Sequence, residues 1–337
     1  MRFGVIGVAH PHATNLTAGL LGAGAECAGY WPGPGADAAV AGFAARFPEL
    51  PTVDDPGRLL DDPAVALVVT ADIPDRRAAV AVTAMRAGKD VLAAKPGCVT
   101  LAELAAVRDA AAATGRMWTV AFSERLHVPS VVRAGELVRA GRIGRVVQTL
   151  GVGPHRLNRP SRADWFFDPD RSGGILTDLA SHQIDQFLHF TGSTGAEVVA
   201  STVANHAHPD LPRFADFGEV LLRGDGGHGY ARVDWYTPDG LPTWGDGRLT
   251  VLGTEGYLEI RKYVDVAGAP GTDHLFLVDG GRVERVDCAG VALPFYPDLL
   301  RDVAERTDRA MPAGHAFRVT ELAIRAESVA VRVGHLA

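Results

Sequence analysis

The sequence predicts an α/β protein: a doubly wound parallel sheet first, then a second part built on a mostly antiparallel sheet. Three observations carry this. Between Phe3 and Phe122, short apolar runs alternate with helix-compatible segments over short connections, as in parallel strands buried on both faces by crossover helices. From Val198 to Asp287, strand-like runs follow one another with only turns between them. Between the two lies Gly173–Asp185, a glycine pair followed by a helix-spaced run.

Taken in order, Phe3–Val8 is an apolar run ending in turn residues, a buried strand. Ala13–Leu21 reads as a helix and Glu26–Trp31 as a second strand, ended by the loop Pro32-Gly33-Pro34-Gly35. Ala36–Phe47 is an Ala-rich helix and Ala64–Thr70 a continuous apolar strand. Asp75–Ala87 is a helix closed by Gly88, and Asp90–Ala94 the next strand. Thr100 is placed to cap a helix over Leu101–Thr114 and Gly115 to stop it, with Met117–Phe122 the last strand of this half. Pro129–Ala140 is a helix running into the Gly141–Gly144 turn, and Val146–Val152 opens the second sheet. Pro154–Asp170 is a loop carrying Arg156, Arg159, Arg162 and the aromatics Trp165, Phe166 and Phe167. Strands are expected at Val198–Val203, Phe217–Leu222, Gly229–Trp235, Leu249–Gly253, Tyr257–Lys262, His274–Val278 and Arg282–Asp287. Phe295–Arg309 and Val319–Val331 are closing helices, and the amphipathic Arg318–Arg332 should pack back on the body. The expected domains are 1–122, 123–315 and a C-terminal helix over 316–337.

At 337 residues, 47% hydrophobic and 22% charged, the chain can bury proper cores and is not compositionally disordered. A net charge of −7 argues against a nucleic-acid partner. No apolar run approaches a bilayer span, and the start has no basic-then-apolar leader pattern, so neither membrane insertion nor secretion is expected. Cys27, Cys98 and Cys288 are widely spaced, which fits reduced thiols in a cytoplasmic protein and gives no metal-ligand spacing.

A doubly wound sheet of this kind holds a dinucleotide across the C-terminal ends of its strands, with the pyrophosphate at the first strand-to-helix turn. That turn is Gly7-Val8-Ala9-His10-Pro11-His12. Of Gly-x-Gly-x-x-Gly only the first glycine is present; Ala9 is a small replacement for the second, and His12 stands at the third. Where an acid would hold the ribose after the second strand, the chain has Tyr30 and Trp31, with Asp37 several residues on. His10-x-His12 also admits a metal-hydrolase reading, against one in which both rings cap the helix or touch phosphate. Lys95 precedes Pro96 at the end of its strand, where a lysine is placed to bind a substrate hydroxyl. Asp178, His182 and Asp185 fall at i, i+4 and i+7, one helix face, with Ile175, Leu179, Ile184, Phe187 and Leu188 packing the other sides. Two carboxylates beside an imidazole can orient it and raise its basicity; the alternative is a solvated polar face. Arg156 could take a carboxylate or phosphate and Trp165 a sugar face, or the segment could be an ordinary surface loop. His206-x-His208 reads as pocket rim or surface.

Ala87-Gly88-Lys89-Asp90-Val91-Leu92-Ala93-Ala94-Lys95-Pro96, Arg139-Ala140-Gly141-Arg142-Ile143-Gly144 and Gly173-Gly174…Asp178…His182…Asp185, with the Gly7 turn, resemble the glucose–fructose oxidoreductase/inositol dehydrogenase (Gfo/Idh/MocA) family over nearly the whole chain. The resemblance implies an N-terminal Rossmann domain and a C-terminal α/β domain with a large open sheet, often used for homo-oligomerisation as a dimer or tetramer. It implies NAD- or NADP-dependent oxidation of a sugar, polyol or related alcohol, with Lys95, Asp178 and His182 catalytic and His182 moving the proton. On this basis Gly7, Ala9, His10, His12, Trp31, Ala71 and Lys95 are the expected cofactor residues. Lys95, Arg156, Trp165, Asp178 and His182 are the expected substrate residues, and no metal is expected. Ala94 stands where the family has Glu before the lysine, and Ala9, His12 and Trp31 depart from its cofactor pattern. The choice of NAD or NADP, an NAD-dependent glycosidase and a non-catalytic binding protein of the same fold therefore stay open.

Overall fold

The computed structural model describes residues 1–34 and 37–336, with Asp37 described in its backbone alone. Gly35 of the expected loop and Ala36 of the expected helix lie outside the described residues. The chain forms two compact units. The first comprises Met1–Ala121, Asp170–Ser172 and Pro294–Thr320; the second comprises Phe122–Pro169, Gly173–Leu293 and the chain from Glu321 onward.

The first unit is a parallel five-stranded sheet in the order β2-β1-β3-β4-β5. Its strands are β1 (Arg2–Ile6), β2 (Glu26–Trp31), β3 (Val65–Thr70), β4 (Asp90–Ala94) and β5 (Trp118–Ala121). Its connecting helices are α1 (His12–Gly22), α2 (Asp37–Arg46), the short α3 (Gly57–Leu60), α4 (Pro74–Arg86) and α5 (Leu101–Thr114). The strands are sequence-continuous apolar runs because both faces are covered: Phe3, Val5, Leu67, Val68, Val69, Val91, Leu92 and Val120 are all fully buried. The α5 boundaries follow from local chemistry. Thr100 accepts from the Glu103 amide while the Glu103 carboxylate accepts from the Thr100 amide, and Gly115 closes the helix in the left-handed conformation.

The second unit carries α6 (Ser123–Leu126), α7 (Pro129–Arg139) and a mixed nine-stranded sheet. The sheet order is β13-β12-β11-β10-β6-β9-β8-β7-β14. The strands are β6 (Val146–Pro154), β7 (Ala196–Asn205), β8 (Phe217–Gly224), β9 (His228–Asp234), β10 (Arg248–Gly253), β11 (Gly256–Arg261), β12 (His274–Asp279), β13 (Val283–Val286) and β14 (Val331–Gly334). Pairing is antiparallel except β6 with β9 and β7 with β14. The short α8 (Pro169–Ser172) and the longer α9 (Ser181–Thr191) follow β6; α10 (Phe295–Glu305) and α11 (His315–Ser328) follow β13. The 154–170 segment is a loop, as expected, tightened by 3₁₀ turns at Arg159–Ser161 and Asp164–Phe167.

Two expectations are corrected. The closing helix does not reach Val331: α11 ends at Ser328, and Val331-Arg332-Val333 alternates as an edge strand beside β7. The C-terminal segment is also not one piece, because Pro294–Thr320 belongs to the first unit and Glu321 onward to the second. Cys27, Cys98 and Cys288 are free and buried. Among the described residues no helix is long and apolar enough to cross a membrane.

Candidate active site

In the first unit the functional side chains gather at the C-terminal edge of the sheet. The β1/β3 neighbourhood is where this strand order reverses direction and opens a crevice. Gly7 sits there with φ +83°, and a Cβ on it would lie 2.4 Å from the Asp72 Cβ, so only glycine fits. The turn is stitched to its neighbours: Gly7 N–H donates to Trp31 O at 2.9 Å, Val8 N–H to Pro32 O at 3.1 Å and His10 N–H to Ala71 O at 2.9 Å, while Ala71 N–H donates to Gly7 O at 3.1 Å. Ala71 and Trp31 thus hold the turn through their backbones. His12 opens α1, its amide donating to His10 Nδ1 at 3.2 Å with the rings 4.1 Å apart. A close helix approach of the kind a motif glycine allows occurs at Gly19 of α1, whose missing Cβ makes room for the Tyr296 ring of α10. Among the described residues no group of three His, Cys, Asp or Glu could hold a metal ion, so His10-x-His12 remains a pair.

Lys95 lies directly after β4, nearly buried, on a cis bond to Pro96. What holds it is Arg77 of α4, a fully buried guanidinium. Its Nε donates to Asp72 O at 2.7 Å, and its Nη1 to Ala94 O at 3.1 Å, Lys95 O at 2.7 Å and Pro96 O at 2.9 Å. Arg77 is thus a charge-assisted clamp on the backbone around Lys95. Asp72, buried beside Gly7, has its carboxyl pushed up by burial, against the Ile73 amide and Arg76, which hold it down.

In the second unit the glycine pair leads into a π turn over Leu176–Ala180 and then α9. The π turn just before α9 is a departure from the regular helix predicted, and it leaves Asp178 half-buried while His182 and Asp185 are buried. Asp185 does not stand simply as a second orienting carboxylate. Both of its oxygens are taken by Arg125 of α6, at 2.7 and 2.8 Å. The next residue after His182, Gln183, donates to Glu124 at 3.0 Å, and Glu124 is ion-paired with the fully buried Lys262. Burial alone would push the Glu124 carboxyl up, but the charges of Lys262, His182 and His155 hold it down at about 2. Glu124 is thus an anion in the field of the His182 ring. The start of the helix is tied by Glu327 of α11, which accepts from the Leu176 amide at 2.8 Å. Gly174, at φ +80°, leaves the space that this carboxylate fills.

The sheet carries α9 at close range because its central strands are small where they meet it. A Cβ on Gly151 or Gly153 would collide with Gln183, and one on Gly229 with Phe187. Ile175, Leu179, Ile184, Phe187 and Leu188 are buried as the helical pattern predicted. The expected substrate residue Arg156 is otherwise engaged: its Nη2 donates to Pro238 O at 2.9 Å and Leu241 O at 2.6 Å, bracing a loop. Trp165 is half-buried, edge-on to Phe166. His206-x-His208 is organised by buried Asp216, which accepts from the His206 and Ala207 amides and from His208 Nδ1 at 2.9 Å. Arg77, Glu124, Arg125, Lys262 and Glu327 were not marked by any sequence signal. Apart from the Arg77 bond to Asp72 O, five residues away, their partners lie 17 to 151 residues away in the chain.

Residues 1–122 match the family model described as an oxidoreductase family with an NAD-binding Rossmann fold, and residues 131–259 match the GFO/IDH/MocA C-terminal domain. Levoglucosan dehydrogenase of Pseudarthrobacter phenanthrenivorans is 28% identical over 64% of this chain and 60% of its own length. The NAD⁺-dependent scyllo-inositol 2-dehydrogenase of Bacillus subtilis is 26% identical over 67% of this chain and 65% of its own. The chain thus matches less than two thirds of these curated relatives. Among solved structures, that of a candidate oxidoreductase from Erwinia carotovora atroseptica is 48% identical, covers 99% of this chain and 100% of its own, and superposes with a TM-score of 0.95. Levoglucosan dehydrogenase in complex with NADH and levoglucosan shares the fold at 19% identity, 97% coverage of both chains and a TM-score of 0.77. Two family models that between them take in well over half of the residues establish that the chain belongs to the GFO/IDH/MocA oxidoreductase family.

Proposed function

We propose that the protein is an NAD(P)-dependent dehydrogenase or reductase acting on the CH–OH group of a sugar, polyol or related alcohol. The observation that carries this reading is the pairing, in one chain, of a glycine turn at the β1/β3 crevice with a buried imidazole fixed on α9. The Gly7 turn fits a dinucleotide: its positive φ and absent side chain leave backbone and the α1 N-terminus to approach a pyrophosphate, with Ala9, His10 and His12 around it. In this reading Trp31, closing β2, takes the place of the ribose-binding acid, which leaves NAD and NADP both admissible. The nicotinamide, when bound, supplies the hydride acceptor or donor.

The chain's own groups handle the proton and the oxygen. His182 takes the hydroxyl proton; the ionised Glu124 nearby favours the imidazolium so formed. Asp178 holds a substrate hydroxyl or the imidazole, and the Lys95 ammonium stabilises the developing alkoxide. Trp165 offers an apolar face to a sugar ring. Arg156 has no part in this reading, since its guanidinium is bound to loop carbonyls.

Homo-oligomerisation through the open sheet belongs to the same reading. Leu150, Tyr230 and Leu221 are register neighbours on the face away from α9, and both leucines are exposed. A monomer by light scattering across working concentrations would remove this part. A cytoplasmic location fits three buried, free thiols. The central test is His182→Ala. It should abolish turnover of a sugar or polyol panel with NAD⁺ and NADP⁺ while leaving NADH binding within a few-fold; surviving turnover means that the base is assigned wrongly.

A further inference from the structure

The three arginines of the 154–170 loop have different fates. Arg156 is bound to carbonyls. Arg159 is ion-paired with Asp210 at 2.6 Å and lies over the Phe167 ring. Arg162 is half-buried and, among the described residues, forms no ion pair. Its guanidinium carbon lies 4.4 Å from the centroid of Phe166 and 5.2 Å from that of Trp235, held by two aromatic faces. Its Nε donates to Leu157 O at 3.0 Å. Among the described residues its two terminal amino groups meet no acceptor.

A guanidinium in this setting is unusual. Burial disfavours its charge, and the opposing influence is Asp178, the carboxylate one helical turn before His182. Partly burying a cation carries a desolvation cost. Aromatic stacking compensates part of that cost and, more to the point, fixes the planar fork in one orientation. A fork so fixed, with its two outer donors unspent, matches the geometry of a carboxylate.

We propose that Arg162 is the anchor for a carboxylate on the substrate, so that the substrate class is a polyhydroxy acid rather than a neutral sugar or polyol. This rests on the dehydrogenase reading and narrows it. The acid group binds Arg162 through two parallel N–H···O bonds, and a neighbouring hydroxyl donates to Asp178. A carboxylate suits the site better than a phosphate, because a dianion would be repelled more strongly by Asp178.

The test is titration of the protein, alone and with saturating NADH, with D-gluconate, D-glucuronate, D-glucitol, D-glucose and D-glucose 6-phosphate. Binding is followed by calorimetry and by tryptophan fluorescence, with Trp165 and Trp235 close to the loop. The two acids should bind roughly 10- to 100-fold more tightly than their neutral counterparts, the range expected for a charge-assisted pair. Arg162→Met should erase that difference while leaving NADH binding and the weak neutral binding unchanged, and Arg162→Lys should keep only part of it. Neutral ligands binding as tightly as acids, failure of both acids to bind, preference for the phosphate, or an equal loss for acids and neutrals in Arg162→Met would each overturn the assignment. Reduction of NAD⁺ measured in parallel separates the two levels. Arg162-dependent acid binding without turnover removes the dehydrogenase reading and keeps the anchor, whereas turnover of glucitol without any acid preference does the reverse.

Discussion

Replacing Glu327 with glutamine should make the protein more stable at pH 8 and change it little at pH 5. Glu327 is buried against the first turn of the π segment, and burial pushes its carboxyl from 4.5 up to about 7, although the Leu176 and Thr177 amides and Arg332 pull it down. A carboxyl with a raised folded-state value binds more protons folded than unfolded between the two values. Stability therefore falls as pH rises from about 4.5 to about 7, and the cost is complete above that. At 1.36 kcal/mol per pH unit, the ionised group costs about 3 kcal/mol at pH 8 and under about 1 kcal/mol at pH 5. Glutamine keeps an acceptor oxygen for the Leu176 amide and does not titrate in this range. The stability difference between variant and wild type should thus move by about 2–3 kcal/mol in favour of glutamine from pH 5 to pH 8. Urea unfolding at pH 5, 6, 7 and 8, read by fluorescence and circular dichroism, measures it. A difference that stays flat across this window would refute the argument that Glu327 is a strained, buried acid.

Two further outcomes follow from the same geometry. Gly7→Ala places a Cβ 2.4 Å from that of Asp72 at φ +83°; it should cost about 1–3 kcal/mol in backbone strain alone and weaken NADH binding at least tenfold, read by thermal denaturation and fluorescence titration. Unchanged NADH affinity would show that this turn does not hold the dinucleotide. Arg125→Met removes the guanidinium that engages both oxygens of the fully buried Asp185; it should destabilise by about 3–5 kcal/mol, and adding Asp185→Leu should restore part of the loss. A loss below about 1 kcal/mol in the single variant would show that the pair is not coupled to folding.

Local chemistry made much of the fold legible. The buried runs at Val65–Thr70 and Asp90–Ala94 could only be two-sided parallel strands, and the Thr100/Glu103 box and Gly115 set both ends of α5 from four residues of context each. Gly7, Lys95 and His182 were likewise visible, because each sits in a short motif whose spacing implies a strand end or a helix face. The reading failed where local spacing and tertiary packing disagree. Leu176–Ala180 has the spacing of a regular helix, but the chain there takes a π turn. Val331–Gly334 continues a helical pattern, yet an open edge beside β7 offers it a ladder of hydrogen bonds.

What the sequence by itself determined is the inventory: which groups can titrate, where the strands of the first sheet end, and which glycines stand at turns and helix ends. What only the tertiary structure decided is the environment of each group. Arg77 at Lys95, Arg125 at Asp185, Lys262 at Glu124 and Glu327 at Leu176 join residues that are far apart in the chain, and no periodicity encodes such pairs. Three arginines in one loop look alike in sequence. Only folding spends two of them on carbonyls and a surface carboxylate and leaves Arg162 stacked between rings with its fork unspent, because burial and partners, not residue type, set what a charge can do.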